Sequence, residues 1–468
     1  MKLVIIGGGP GGYTAAIRAA QLGMEVTLVE EDKNLGGTCL NRGCIPTKIF
    51  AESAARRRQL QDDAEFGIEL EGAVKFNAEK MQERKNSVVR RLAMGVSGLL
   101  KKNGVRVVNA RGRLLGEGKV EAGEEILEAD RILLATGSRV FVPPVFPADG
   151  EKIVTSDDIL QLRHVPESLI VVGSGAVGME FACVYAALGA KVSVVEMLPR
   201  LLPLEDEEVS AEMLRLMRKA GFSIYLQAKI TEVKIENGRV SAYGENLGAE
   251  GRIEAEMLLA AVGRRANLQD LGLENAGLEI NARGRLEVNK YMQTAAENIY
   301  AIGDIIPGPQ LAHMAAAEGI LAVEHMTGLP VKELNFANSP AATYSHPEVA
   351  SVGLTQRQAE EAGLAVKIGK FPFAALGKAA VGGHTDGFVK IVAEAESGRI
   401  LGAHIIGCGA CDLIGEASLA VENGLTLEEV KNAIHPHPGL AEAIAESVHH
   451  ALGTPLNFLP PPPRRSRR

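Results

Sequence analysis

Leu3 to Ile6 is an unbroken apolar run that stops at a glycine cluster, Gly7-Gly8-Gly9-Pro10-Gly11-Gly12; a helix-forming stretch follows, then a second strand pattern from Glu25 to Glu30. Short apolar runs punctuated by glycine predict strands, and the longer stretch between them predicts a helix. The same succession recurs further along. Leu169 to Val172 is apolar, Gly173-Ser174-Gly175-Ala176-Val177-Gly178 follows, a helix is expected through Leu188, and Val192 to Val195 forms a strand closing at Glu196. The spacing from first glycine to closing glutamate is the same in both copies, Gly7 to Glu30 and Gly173 to Glu196. Between the copies lies a charged helical stretch, Glu52 to Lys102, with Val88, Leu92, Val96 and Leu99 at helical spacing. Beyond Asn335 the alternation predicts strands at Phe388 to Val392 and Ile400 to Ile406, and helices at Glu416 to Asn423 and Ala441 to Leu452.

Each repeated unit has the order strand, glycine turn, helix, strand and acid that binds a dinucleotide. The glycines let the backbone approach a pyrophosphate at a helix N-terminus, and the closing carboxylates, Glu30 and Glu196, fall where an acid holds ribose hydroxyls. Glu196 would repel a phosphate on that ribose, which favours NAD over NADP. Arg200, four residues on, is the residue that argues the other way.

Just after the first unit, Cys39 and Cys44 stand in the run Gly36 to Lys48. The intervening residues allow the backbone to bring the two sulfurs to bonding distance, and Pro46 favours the first turn of a helix beginning near Cys44, whose N-terminus stabilises a thiolate. Two cysteines by themselves are as readily buried apolar packing. Beside two dinucleotide units they imply a relay between a cofactor and a disulfide. FAD is the dinucleotide that accepts electrons from a thiolate stacked on its ring, so the first unit is assigned to FAD and the second to NAD.

With these motifs the chain resembles the FAD-dependent pyridine nucleotide-disulfide oxidoreductases, from Lys2 to about Phe458. The resemblance implies an α/β fold with two Rossmann-like dinucleotide-binding domains, for FAD and NAD, and an α+β C-terminal dimerisation domain. The implied limits are 1–144 for the first FAD-binding segment, 145–263 for the NAD-binding domain, 264–334 for the second FAD-binding segment and 335–468 for the interface domain, with a disordered tail from about 460. Cys39 matches the sulfur that exchanges with substrate, Cys44 the one that contacts the flavin, and Lys48 with Glu180 a pair beside it. For FAD the resemblance implies Gly7, Gly9, Gly12 and Glu30 in the first unit, Gly37, Thr38 and Lys48 around the dithiol, and Gly112, Thr136, Gly137, Asp304 and Ala312 beyond. For NAD it implies Gly173, Gly175, Gly178, Glu196, Ile230 and Gly263.

His435-Pro436-His437-Pro438-Gly439-Leu440-Ala441-Glu442 resembles the family's histidine motif, in which His437 is the acid-base and Glu442 orients it. Imidazole titrates near working pH, so one group takes a proton from an attacking thiol and later returns it. If the interface domain dimerises as the family's does, His437 serves the other subunit of a homodimer. Leu311 to Gly319 is similar to the lipoamide branch rather than the glutathione branch. The expected substrate is therefore dihydrolipoamide on the lipoyl domain of a 2-oxoacid dehydrogenase or glycine cleavage complex. Two alternatives stay open: an NAD(P)H-dependent reductase of another small disulfide, and a flavin-bearing interaction subunit whose redox site is idle.

At 468 residues the chain is too long for one core, and its 46% hydrophobic content fills about three domains. A net charge of -8 argues against nucleic acid. The apolar run Leu169 to Met179 is too short to span a bilayer. Met1 runs almost at once into the first strand, and five cysteines suit a reducing compartment, so a cytoplasmic protein without a membrane partner is expected. Arg42 inside the dithiol motif either lowers a cysteine pKa or faces solvent. Cys183 reads as packing. Cys408-Gly409-Ala410-Cys411 has no second cysteine pair to complete a zinc site; no metal is expected, and incidental thiols are favoured over a second redox pair. The basic tail Pro460 to Arg468 reads as a solvated end, with docking to an acidic partner as the alternative.

Overall fold

In the computed structural model, which describes residues 1–69, 71–72, 74–248 and 250–458, both apolar runs become central strands of parallel sheets. Lys2–Ile6 lies between Arg131–Leu134 and Glu25–Glu30, with Ile299–Ala301 and Arg106–Asn109 outermost. Ile6 pairs with Val29 on one side and Leu134 on the other, and Leu134 pairs with Ala301. That register brings Gly7, Glu30, Ala135 and Ile302 to one sheet edge, although they come from three separate stretches of chain. In such sheets the carboxyl edge is where a ligand sits.

The second sheet repeats the arrangement. Ser168–Val172 is flanked by Lys191–Val195 and Met257–Ala260, with Ser223–Tyr225 and Ile153–Val154 outside. Each sheet has a three-stranded antiparallel meander before its returning strand, Gly112–Gly116 to Glu125–Glu128 in the first and Lys229–Glu236 to Arg252–Ala255 in the second. These meanders are not evident from the periodicity, because their alternating short strands expose one face and break at polar turns.

The third domain is an antiparallel sheet ordered Ala341–Thr343, Glu348–Gly353, Ile400–Gly407, Phe388–Glu394, Val366–Pro372, with helices Ala410–Glu422 and Glu442–Ala451 packed against it. The expected strands at 388 and 400 and both helices are present; the three other strands are legible only through their partners. The charged stretch after the dithiol is two helices, Cys44–Asp62 and Ala78–Lys102. The second buries Met81, Lys85, Val89, Ala93 and Leu100, whereas Leu92 and Leu99 are exposed and Val88 and Val96 half-buried. The helix thus carries two apolar stripes and the one with Lys85 faces inward, where its ammonium bonds Leu160 O at 2.9 Å and Gln161 Oε1 at 3.1 Å. Among the described residues no helix is long and apolar enough to cross a membrane. The basic tail lies outside the described residues.

Candidate active site

The glycine turns are built alike. Gly7 has φ +110° and Gly173 φ +96°; a Cβ on Gly12 would lie 1.8 Å from Gly7 O, and one on Gly178 1.9 Å from Gly173 O. Only glycine fits there. The following helices, Pro10–Gln21 and Ala176–Ala187, start at Gly9 and Gly175 with no side-chain cap and no acid in the first turn. Their leading N–H groups are left for an anion, as a pyrophosphate requires. Glu30 accepts from Gly8 N at 2.6 Å and Asp32 N at 2.8 Å. Glu196 accepts from Ser174 N and Oγ and from Leu198 N, each at 2.8 Å. Both carboxylates are therefore held at the sheet edge without a cation. Arg200 is turned away from that edge: it donates to Pro203 O at 2.9 Å and pairs with Glu207 at 3.1 Å. Ile230 is buried in the same apolar cluster as Val195, and Gly263 follows the strand Met257–Ala260.

The dithiol lies on helices rather than in a loop. Cys39 is in the short helix Gly37–Arg42, Gly43 breaks the direction, and Cys44 opens the helix Cys44–Asp62. Both sulfurs are free thiols. The Cys39 thiol hydrogen-bonds the Cys44 sulfur; that bond and the Lys48 charge hold Cys44 down at about 7 against the effect of burial. The same bond, with burial, pushes Cys39 up. Cys44, at a helix start and beside Lys48, is thus the thiol whose ionised form is favoured. Lys48 lies one turn further along the helix, its Nζ bonded to Glu180 at 2.9 and 2.8 Å and 4.5 Å from the Tyr344 ring centroid. Of the two expectations for Arg42, exposure holds, with the side chain 42% exposed, but it is not free. Its guanidinium pairs with Asp32 at 2.6 Å, fastening the dithiol helix to the loop just past Glu30.

Beside the first glycine turn the two halves of the first sheet are knitted together. Asp304 accepts from the Ser138 hydroxyl, and Arg264 donates to Ser138 Oγ at 2.8 Å, Ser138 O at 2.7 Å and Thr38 Oγ1 at 3.5 Å. Thr136 and Asn267 exchange two bonds, at 2.7 and 3.0 Å. These contacts gather Thr38, Thr136, Gly137 and Asp304. Gly37 lies against Gly9, Gly112 against Ile6, and Ala312 opens the helix Ala312–Met326. Within that helix buried Glu318 accepts from Gly303 N at 2.6 Å, and burial pushes its carboxyl up to about 7. The uncapped helices, the satisfied acids and the side-chain-free turns fit two dinucleotides.

His437 and Glu442 stand together at the start of the helix Glu442–Ala451. His437 Nδ1 is 2.9 Å from Glu442 Oε2, while Glu442 Oε1 accepts from Gly439 N at 2.6 Å. The His437 side chain is 79% exposed. His435 is pinned instead, Nε2 to Glu416 at 2.8 Å and Nδ1 to Ala433 O at 3.1 Å. Cys183 is buried beside Met217. Burial pushes both Cys408 and Cys411 up, and Cys411 leans on Thr343 O. Among the described residues no cluster of His, Cys, Asp or Glu is arranged to hold a metal.

Tyr344, Ser138 and Ser174 escaped the reading of the sequence. Tyr344 N–H donates to Glu180 Oε1 at 2.9 Å, so the third domain helps to fix the Lys48 partner. Nothing local to Tyr344 signals this contact across 164 residues of chain. Ser174, within the second glycine turn, was the findable one, since its hydroxyl has the acid of its own unit as a ready acceptor.

The family description "Pyridine nucleotide-disulphide oxidoreductase" matches residues 1–319, and that of its dimerisation domain matches residues 339–448. The chain is similar to dihydrolipoyl dehydrogenase of Bacillus subtilis, 45% identical over 97% of this chain and 99% of that protein. It is similar also to mitochondrial dihydrolipoyl dehydrogenase of Homo sapiens, 41% identical over 97% and 92%. Among solved structures, LpdA from Mycobacterium tuberculosis superposes with a TM-score of 0.90 at 28% identity, covering 96% of this chain and 99% of that one. The HOCl-induced flavoprotein disulfide reductase RclA from Escherichia coli gives 0.85 at 27% identity, covering 95% and 98%.

Proposed function

Because the chain belongs to the pyridine nucleotide-disulphide oxidoreductases, we propose that it acts as a dihydrolipoamide dehydrogenase, oxidising dihydrolipoamide to lipoamide and reducing NAD. The observation that carries this reading is the Cys39–Cys44 pair, at the start of a helix and beside Lys48 and Glu180, between two glycine-opened helix N-termini. The lipoamide class is supported by the names of the similar proteins and by Leu311 to Gly319.

In the oxidised enzyme Cys39 and Cys44 are joined. His437 takes the proton of one substrate thiol, and the thiolate so formed attacks the Cys39 sulfur. Cys44 leaves as a thiolate, a form favoured by Lys48 and by the helix N-terminus. The second substrate thiol then attacks the sulfur bound to Cys39 and releases lipoamide, with the proton returned through His437. Glu442 fixes the tautomer by accepting from Nδ1. Bound FAD supplies electron transfer between this dithiol and NAD. FAD is assigned to Gly7, Gly9, Gly12, Glu30, Gly37, Thr38, Lys48, Gly112, Thr136, Gly137, Asp304 and Ala312, and NAD to Gly173, Gly175, Gly178, Glu196, Ile230 and Gly263.

The reading includes the domain limits at 144, 263 and 334, a homodimer, a cytoplasmic location and a lipoyl domain as partner. Exposure of His437, whose side chain is open to a second subunit, supports the dimer. The first test is the rate of NAD reduction by free dihydrolipoamide on FAD-loaded protein, with NADP and reduced glutathione as controls. Turnover with dihydrolipoamide and NAD alone is expected; flavin reduced by NADH without lipoamide turnover would sink the reading. A heterodimer of C39S and H437A chains tests the shared site. It should regain one working site that neither parent has, and no recovery would place the histidine with its own chain's dithiol.

A further inference from the structure

The NAD-binding unit and the third domain meet across a row of buried charge that the chemistry above does not use. Ser351, His404 and Lys390 are cross-strand neighbours in three adjacent strands, Ser351 paired with His404 and His404 with Lys390. Such neighbours share one sheet face, and this face looks onto Glu205 and Asp206 of the NAD-binding unit. Lys390 and Asp206 side chains are 2% and 3% exposed. Lys390 Nζ reaches both Asp206 oxygens at 3.0 Å and Glu208 Oε1 at 2.8 Å, while Lys370 holds the other Glu208 oxygen at 2.5 Å. The Ser351 hydroxyl bonds Glu205.

Stability alone does not account for this row. A buried ion pair recovers little beyond its desolvation cost, and apolar side chains of similar volume often serve as well. The row also leaves Glu205 Oε2 and His404 Nδ1 buried without a partner, since His404 spends Nε2 on Leu354 O at 3.0 Å. A buried lysine that must meet one carboxylate pair does, however, select one docking orientation over slipped ones.

Asp206 is the far end of the loop that starts at the ribose acid Glu196. Along that loop Leu198 N donates to Glu196, Leu202 N donates to Ser174 O at 3.1 Å, Glu205 N donates to Leu202 O at 2.9 Å, and Asp206 caps the helix Glu207–Lys219 through Glu208 N at 3.0 Å. Glu196, the second glycine turn and Asp206 are thus one hydrogen-bonded loop. What anchors Asp206 sets how that loop borders the NAD pocket.

We propose that Lys390 is a positioning residue for NAD: from the third domain it anchors Asp206, and through the Glu196–Asp206 loop it holds the NAD-binding unit in the orientation that receives the nicotinamide nucleotide. This rests on the reading of the second unit as the NAD site and of the reaction as dihydrolipoamide oxidation.

The test compares K390M and the double variant K390M/D206N with the unmutated FAD-loaded full-length enzyme. In the double variant both charges are gone, while asparagine still caps the helix, so the fold survives even where K390M alone strands a buried carboxylate. NADH affinity by calorimetry should weaken by about tenfold. Reoxidation by NAD of enzyme reduced with dihydrolipoamide should slow by a similar factor. Reduction of the enzyme by dihydrolipoamide should stay within about twofold, because the dithiol lies outside the loop. NADH affinity unchanged in a folded double variant overturns the proposal, as does an equal fall in both half-reactions. Failure of the substrate reading would look different: the unmutated enzyme would not be reduced by dihydrolipoamide at all, and the NADH comparison would still decide the role of Lys390.

Discussion

Lys48 and Glu180, 132 residues apart in the chain, meet in a two-pronged ion pair of 2.9 and 2.8 Å beside the dithiol, joining the helix that starts at Cys44 to the glycine-opened helix Ala176–Ala187. Lys48 favours the Cys44 thiolate and Glu180 disfavours it. With Cys44 held at about 7, iodoacetamide inactivation of the reduced enzyme should rise through pH 7, as the thiolate forms with rising pH. K48M removes the cation and should shift that profile upward by roughly one pH unit; E180Q removes the opposing charge and should shift it downward. Shifts in the same direction for the two variants would contradict the opposed roles.

H437A should lower dihydrolipoamide turnover by roughly 10²–10⁴ while leaving FAD bound. E442A should cost less, because it loosens the ring at Nδ1 without removing the proton carrier. H435A should lower the melting temperature but leave turnover per folded molecule intact, since its ring is spent on Glu416 and Ala433 O. Steady-state rates normalised to flavin content separate the three.

E196A strands the Ser174 and Leu198 donors and should lower kcat/KM for NAD by roughly 10–100-fold. It should bring little gain with NADP, because Arg200 remains engaged by Pro203 O and Glu207. Efficient NADP turnover by this variant would show that Arg200 swings free.

Glu318 is pushed up to about 7 from 4.5, so the folded chain binds a proton that the unfolded chain releases between those values. Its contribution to stability is therefore full below pH 4.5 and lost as the pH rises towards 7, an effect of about 3 kcal/mol. E318Q keeps an acceptor for Gly303 N–H and carries no titrating group. Its melting temperature should match the wild type near pH 4.5 and exceed it increasingly up to pH 8. A constant difference across that range would contradict a protonated Glu318.

Much of the site was legible because its chemistry is local. The repeats, from Gly7 to Glu30 and from Gly173 to Glu196, each carry turn, helix and acid within one stretch, so spacing alone specifies the pocket edge. The dithiol run likewise needs no distant residue to announce itself. The Arg42 pairing was not legible because its partner, Asp32, lies just beyond Glu30, and only the folded loop brings them together.

By itself the sequence determined the elements whose hydrogen bonds close within a unit: two glycine-opened helices, their terminal acids and a thiol pair at a helix start. The tertiary structure alone decided what depends on segments meeting across the chain. It brought Tyr344 to Glu180, Ser138 to Asp304, Arg264 to Ser138, and Lys390 to Asp206, and it set which stripe of Ala78–Lys102 is buried. The reason is that a buried charge or donor is satisfied by whatever the packing places within reach, and neither propensity nor periodicity encodes which distant strand arrives there.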